Sequence, residues 1–340
     1  MNSRELFTGI FEGKEIERPP VWFMRQAGRY LPEYRKLREG KTFEQMASTP
    51  DLAKEITLQP IRRFDLDAAI IFSDILIPLY SMERGLSIKP QIGPVLDRPL
   101  TDPLEVESLH IPRPELDFPY VVESIEMVRE EIPDKWFIGF AGAPFTLASY
   151  LIEGQSTRNA LLTRKFAFEH EESFRTLLDL LAEIVLRQLR SQIDAGVNMV
   201  QIFDSWAGFL SADQYREWVL PSLKKVIEKL DVPTMIYARG SSHLLEILSE
   251  SGADGISIDG TLSLSKARGI VGAGKVLQGN LDPALLQTNT ERVKREVVEL
   301  LKQVDNQRYI FNLAQGIDKS SSVACVASMV ESVKSWRYVN

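Results

Sequence analysis

The chain has 340 residues, 47 acidic against 40 basic side chains, a net charge of −7, 44% hydrophobic residues and a single cysteine. That composition excludes disordered and fibrous classes, and Cys325 alone rules out an intrachain disulfide and argues against a thiolate metal site in a chain with three histidines. The acidic balance argues against nonspecific nucleic-acid binding, and no apolar run approaches the ~18 residues of a membrane span. The first residues also lack the apolar core of a secretory signal, so a cytoplasmic location is expected.

In chain order, short apolar or β-branched runs bounded by turn residues predict strands at 20–24, 68–73, 137–141, 197–203, 233–238, 255–259, 275–279 and 309–313. Several gaps carry helical periodicity, as in Phe174, Leu177, Leu178, Leu181, Ile184, Val185 and Leu189. Eight near-continuous apolar strands separated by helices fit a single-domain (β/α)8 barrel over residues 1–340, with an open doubly wound sheet as the runner-up. The Pro-rich passage at 99–119, with Pro103, Pro112 and Pro114, reads as an extended surface excursion of that one domain.

In a barrel the chemistry lies at the carboxyl ends of the strands, and those ends are polar here. Arg25-Gln26-Ala27-Gly28-Arg29 follows the first run, Asp74 the second and Asp204-Ser205-Trp206 the fourth. Arg239 and His243 follow the fifth, Asp259 ends the sixth, and Asn280 and Gln315 follow the last two. Residues 25–41 hold six basic side chains against Glu33 and Glu39, a local +4 that leaves −11 for the rest of the chain.

Two arginines four residues apart offer planar forks for carboxylate or phosphate. The opposing reading pairs Arg29 with Glu33 on a solvated helix, worth only ~0.2–0.5 kcal/mol. Asp74 either serves a ligand or caps the following helix, and Tyr150 and Ser205 each also read as satisfied core polar groups. The run at 269–275 nearly matches a phosphate-binding loop, but Val276 replaces the magnesium-touching hydroxyl and the helix-to-strand order is reversed. His110 and His170 lie in surface contexts, which leaves His243 as the histidine near a strand end.

Pro20-Val21-Trp22-Phe23-Met24-Arg25-Gln26-Ala27-Gly28-Arg29 and Gly139-Phe140-Ala141-Gly142-Ala143-Pro144-Phe145-Thr146-Leu147-Ala148-Ser149-Tyr150-Leu151-Ile152-Glu153-Gly154 closely resemble the two signature segments of the uroporphyrinogen decarboxylase family. The likeness continues through Ile71-Phe72-Ser73-Asp74-Ile75-Leu76 and Leu277-Gln278-Gly279-Asn280-Leu281-Asp282-Pro283. The resemblance implies a (β/α)8 barrel, homodimeric and without metal or organic cofactor, that removes carbon dioxide from the four acetates of uroporphyrinogen III to give coproporphyrinogen III. It further implies that Arg25 and Arg29 bind substrate carboxylates across a loop of Gln26, Ala27 and Gly28. Asp74 would hold the pyrrole N–H groups, and Tyr150 and Ser205 would contact substrate.

Arg25 or a bound water is the expected proton donor, with Tyr150 in reserve. Where the family reads Asn-Leu-Gly-His-Gly, this chain has Asn312-Leu313-Ala314-Gln315-Gly316, so Gln315 can hydrogen-bond a carboxylate but adds no titratable positive charge. Two alternatives follow. One is a noncatalytic porphyrinogen-binding relative; the other, a methyltransferase acting on cobalamin-bound methyl groups through zinc, is opposed by the lone cysteine.

Overall fold

The runs of Val, Ile, Phe and Ala between turn residues become strands because β-branched and aromatic side chains pack well on a pleated surface. The computed structural model describes residues 1–89, 92–304 and 308–338. Its main sheet contains β1 (Ala68–Ile70), β4 (Trp136–Gly142), β5 (Met199–Asp204), β6 (Thr234–Ala238), β7 (Gly255–Ser257), β8 (Val276–Leu281) and β9 (Tyr309–Leu313). These seven strands pair in parallel in that order, in registers such as Ile138 with Met199 and Asn280 with Asn312. Helices separate them, and the longest, Glu171–Asp194, buries the Phe174-to-Leu189 face anticipated from its periodicity.

Residues 20–24 do not form the predicted strand. Val21 makes an isolated parallel bridge to Phe311, with the Phe311 amide donating to the Pro20 carbonyl at 2.9 Å. On its other side the Asp67 amide donates to the Val21 carbonyl at 3.0 Å. Pro19 and Pro20 lack the N–H groups that a longer ladder needs. Asp67 compensates: its buried carboxylate takes the Val21 amide at 2.9 Å and the Arg18 guanidinium at 2.7 and 2.9 Å. The segment thereby spans the two edge strands of the curled sheet.

The interior is graded from apolar to polar. Helix Ser3–Glu12, started by a capping box between Asn2 and Glu5, inserts Leu6, Phe7 and Ile10 beneath Ala68, Ile138, Met199, Met235, Val276 and Ile310. Phe7 stacks on Trp136 with centroids 5.2 Å apart. One step further along the strands, Trp22 Nε1 donates to Gln278 Oε1 at 2.9 Å and Gln278 Nε2 donates to Gln201 Oε1 at 3.1 Å. Buried amides of this kind persist because they are paired with one another. The amino end is thus sealed with hydrocarbon, and polar groups begin on the way to the carboxyl ends.

Two further parts differ from the sequence expectations. β2 (Leu86–Lys89) and β3 (Gly93–Leu96) form an antiparallel hairpin outside the main sheet, and Val95 bridges to Gln155. The passage at 99–119 is not simply extended: it contains a 3₁₀ turn at Pro103–Ser108 and a helical turn at Pro114–Asp117. Val106, Leu109 and Phe118 are buried there, so apolar anchors tie the excursion to the core.

Candidate active site

The loop after Val21 is built to present Arg25. Asn312 at the end of β9 accepts the Met24 amide at 3.1 Å, and the Ile317 amide donates to the Met24 carbonyl at 3.0 Å. Arg25 itself has φ of 63°, a left-handed conformation that costs a non-glycine residue about 1–2 kcal/mol. Gly316 makes room for it, since a Cβ there would lie 2.6 Å from Arg25 Cδ. The glutamine of the motif turns inward. Gln26 is fully buried, its Nε2 donates to the Ala68 carbonyl at 3.1 Å, and its own carbonyl accepts the Tyr30 hydroxyl at 2.7 Å. Ala27 and Gly28 complete the turn, partly exposed, and the Leu31 amide closes on the Gly28 carbonyl at 3.0 Å.

The competing account of Arg29 fails on geometry. Glu33 is gripped in two places by Arg63, at 2.6 and 2.9 Å, and among the described residues Arg29 has no carboxylate partner. Exposed Arg29 instead lines a cleft of about 480 Å³ with Arg35, Arg38, Lys319 and Ser320. Arg35 braces the loop by donating to the Arg29 and Tyr30 carbonyls at 2.9 and 3.0 Å.

Asp74 follows β1 in a partly exposed position. Oδ1 accepts the Leu76 amide at 3.1 Å in a short turn ahead of helix Ile77–Tyr80; the cap position of that helix is Leu76 and no side chain caps it, so the capping account of Asp74 does not hold. Among the described residues, the hydrogen-bond partner of Oδ2 is the Tyr80 hydroxyl, at a long 3.5 Å. Burial pushes this carboxyl up to about 6, and nearby Glu44 adds to the rise, while the Leu76 amide and Tyr80 hydroxyl oppose it. A carboxylate with an underused oxygen and a disfavoured charge gains from a ligand N–H.

Tyr150 projects from helix Pro144–Glu153 and is buried, with its ring 5.9 Å from Trp206. Its hydroxyl is pushed up to about 12, first by burial and then by the charge of Asp74, against the pull of Arg25. It therefore remains a neutral donor. Ser205, just past β5, fixes its amide on Thr146 Oγ1 at 2.8 Å, and among the described residues its hydroxyl has no partner. Gln315 is exposed in the loop after β9.

Several participants carried no assigned role at the sequence level. Tyr237 of β6 donates to the Ala314 carbonyl at 3.2 Å, and its hydroxyl is pushed up to about 12 by burial, with Asp259 raising and Arg239 and Arg25 lowering it. Asp259 accepts the Ser241 and Thr261 amides at 3.2 and 2.9 Å, which ends β7 earlier than predicted and ties two loops together. Buried Asn312 and partly buried Gly316 position Arg25; a polar residue closing an otherwise apolar strand was the available signal for the asparagine. His243 is engaged elsewhere, with Nε2 2.9 Å from the Leu210 carbonyl. Among the described residues no group of three or more His, Cys, Asp or Glu is arranged to hold a metal ion.

The family model described as uroporphyrinogen decarboxylase (URO-D) matches residues 2–336. The chain belongs to the uroporphyrinogen decarboxylase family. A relative of that name from Corynebacterium diphtheriae is 42% identical over 94% of this chain and 95% of its own. Another from Carboxydothermus hydrogenoformans is 42% identical over 92% of this chain and 91% of its own, and one from Nitrosococcus oceani is 40% identical over 94% and 92%.

Among solved structures, a methyltransferase from Methanosarcina mazei superposes with a TM-score of 0.85 at 19% identity, covering 98% of both chains. At that identity the likeness concerns fold alone. It agrees with a curled parallel sheet flanked by helices in this uroporphyrinogen decarboxylase family member. The described residues include no helix long and apolar enough to cross a membrane.

Proposed function

We propose that this chain is a cofactor-independent uroporphyrinogen decarboxylase, built on a closed (β/α)8-type barrel in which the isolated bridge at Val21, in place of an eighth strand, joins the two edge strands. The observation that carries the reading is the opposition of charge. Among the described residues Arg25 and Arg29 have no carboxylate partner, while Asp74 keeps one oxygen nearly free beside Tyr150. A substrate bearing eight carboxylates around a ring of pyrrole N–H groups matches both halves.

In this reading Arg25 and Arg29 grip peripheral carboxylates across the Gln26-Ala27-Gly28 turn, Gln26 holding the turn to β1 rather than reaching substrate. Gln315, Tyr150 and Ser205 hydrogen-bond the acetate and propionate groups. Arg25, or a water that it orients, delivers a proton to the pyrrole α-carbon next to the carbon that carries the acetate. The ring becomes cationic and Asp74 stabilises it, a preorganised interaction worth ~2.7–4 kcal/mol by analogy with an oxyanion donor of opposite sign. The bond to the carboxylate then breaks, carbon dioxide leaves, and its electron pair neutralises the ring. Protonation of the resulting exocyclic carbon yields the methyl group, and the proton first placed on the ring carbon leaves again, which restores the pyrrole and consumes one proton for each carbon dioxide released. No step draws on a metal or organic cofactor. A cytoplasmic homodimer is part of the same proposal.

An anaerobic incubation of the purified protein with uroporphyrinogen III, without added metal, tests it through chromatography of the oxidised products. Stepwise seven- to four-carboxylate products are expected. Gln315 supports a second outcome, because it supplies no titratable cation: binding without product would identify a noncatalytic porphyrinogen-binding protein. Neither binding nor product would sink both readings.

A further inference from the structure

Asp204 closes β5 as a fully buried carboxyl, and among the described residues no cation meets it. Its two oxygens face hydroxyls from different elements. Thr146 Oγ1 lies 2.9 Å from Oδ1, and the Tyr215 hydroxyl lies 3.3 Å from Oδ2. Thr146 then accepts the Ser205 amide at 2.8 Å, so a continuous chain runs from Tyr215 through Asp204 and Thr146 to the backbone of Ser205. Tyr215 is itself fully buried and opens a π-helical turn, Tyr215–Val219, a local irregularity often found beside functional sites.

Thr146 and Tyr150 lie one turn apart on helix Pro144–Glu153, so they share a face. Whatever fixes Thr146 against the end of β5 therefore also fixes Tyr150 relative to Ser205. The Tyr150 and Trp206 rings, 5.9 Å apart, complete the same junction. A wholly buried carboxyl is costly to keep and contributes little as a random core residue. Of its two partners, Thr146 leads on to Ser205 at the carboxyl end of β5.

We infer that Asp204 is a positioning residue, which through Thr146 locks Tyr150 and Ser205 into one geometry against the substrate. The inference rests on the decarboxylase reading above and assigns Asp204 no contact with substrate. It distinguishes two conservative replacements from two disruptive ones. Thr146→Ser keeps the hydroxyl and Asp204→Asn keeps one donor and one acceptor in the same outline, whereas Thr146→Val and Asp204→Leu break the chain.

Steady-state kinetics on uroporphyrinogen III should show kcat for Thr146→Val lowered roughly 10- to 100-fold, the scale expected when a reacting group is misplaced by about 1 Å. KM should rise by no more than a few-fold, through the displaced Tyr150 and Ser205, because Arg25 and Arg29 are untouched, and Thr146→Ser should recover most of kcat. Tyr215→Phe, which removes one hydroxyl without changing the packing, should show a smaller loss and guards against misfolding of the other variants. Wild-type kcat in both folded Thr146→Val and folded Tyr215→Phe would overturn the inference, since a merely structural role moves the melting temperature and leaves kcat alone. If the wild type itself does not turn over, the decarboxylase reading fails separately. Binding of uroporphyrinogen III then decides: weakening by Thr146→Val but not by Thr146→Ser supports positioning, and equal affinities refute it.

Discussion

Asp74 and Asp204 occupy equivalent places, each at or just past the carboxyl end of a parallel strand, yet they face opposite situations. Asp74 spends one oxygen on the Leu76 amide and keeps the other almost free, in a position still open to the mouth. Asp204 is sealed, with both oxygens committed to Thr146 and Tyr215. Burial raises both carboxyls, to about 6 and about 7. What separates them is the unused hydrogen-bonding capacity: a raised carboxyl with a free oxygen is available to a ligand, and one without it belongs to the framework.

The largest effect that sharpens this contrast is on stability. Asp204 is raised from 3.8 to about 7, so the folded state holds its proton where the unfolded chain has lost it. Its contribution is fully present below pH 4 and is lost as pH rises to 7, by an amount on the order of 4 kcal/mol at most. Asp204→Asn does not titrate. Urea unfolding should therefore show the variant gaining on the wild type between pH 4 and 7, and a constant difference across that window would show that Asp204 is not raised. The similar rise at Asp74 is common to both proteins and cancels.

Next in size is the catalytic counterpart. Asp74→Asn preserves shape but removes the charge that holds the cationic ring, so decarboxylation should fall ~10²–10³-fold with the fold intact. Near-normal turnover would place Asp74 in the framework class with Asp204 and break the comparison.

How much of this was legible follows from the range of the interactions. Seven of the eight predicted strand runs contain strands because each rests on a local apolar run between Pro, Gly or Asp. The run at 20–24 was misread since Pro20 cannot donate to a ladder and the segment is held by Asp67, a partner 46 residues away from Val21. The β2–β3 hairpin was missed because Pro94 and Gly93 obscure alternation in its second strand. At the site, Arg25, Arg29 and Asp74 were visible as polar ends of apolar runs. The freedom of Arg29 was not, because it depends on Arg63 taking Glu33 across 30 residues. The role of Asp204 likewise depends on Thr146, 58 residues earlier, a pairing created only when β4 and β5 align.

The arginine pair should show a smaller and different signature. Arg25→Ala and Arg29→Ala are each expected to raise KM about tenfold at low salt, near 1.4 kcal/mol, with the defect shrinking as salt screens the exposed charges. Arg25→Ala should additionally lower kcat, given its place beside the proton transfer. Salt-independent binding unchanged from wild type in both variants would return Arg29 to the solvated surface.

The smallest effect probes why Asp74 is poised at all. In the free enzyme, kcat/KM should fall as pH drops through about 6, because protonation removes the anion that the cationic ring requires. Glu44 sits on helix Phe43–Ala47 with Oε1 accepting the Ile88 amide at 3.0 Å, and its charge contributes to the rise at Asp74. Glu44→Gln keeps the acceptor for Ile88 but removes the neighbouring negative charge. Asp74 should then ionise more easily, so the acid limb of the kcat/KM profile should move to lower pH by a fraction of a unit while the plateau stays where it was. A limb that does not move would mean that burial alone sets Asp74. A limb that moves upward would contradict like-charge repulsion between the two carboxylates and require Glu44 to act through the hairpin instead.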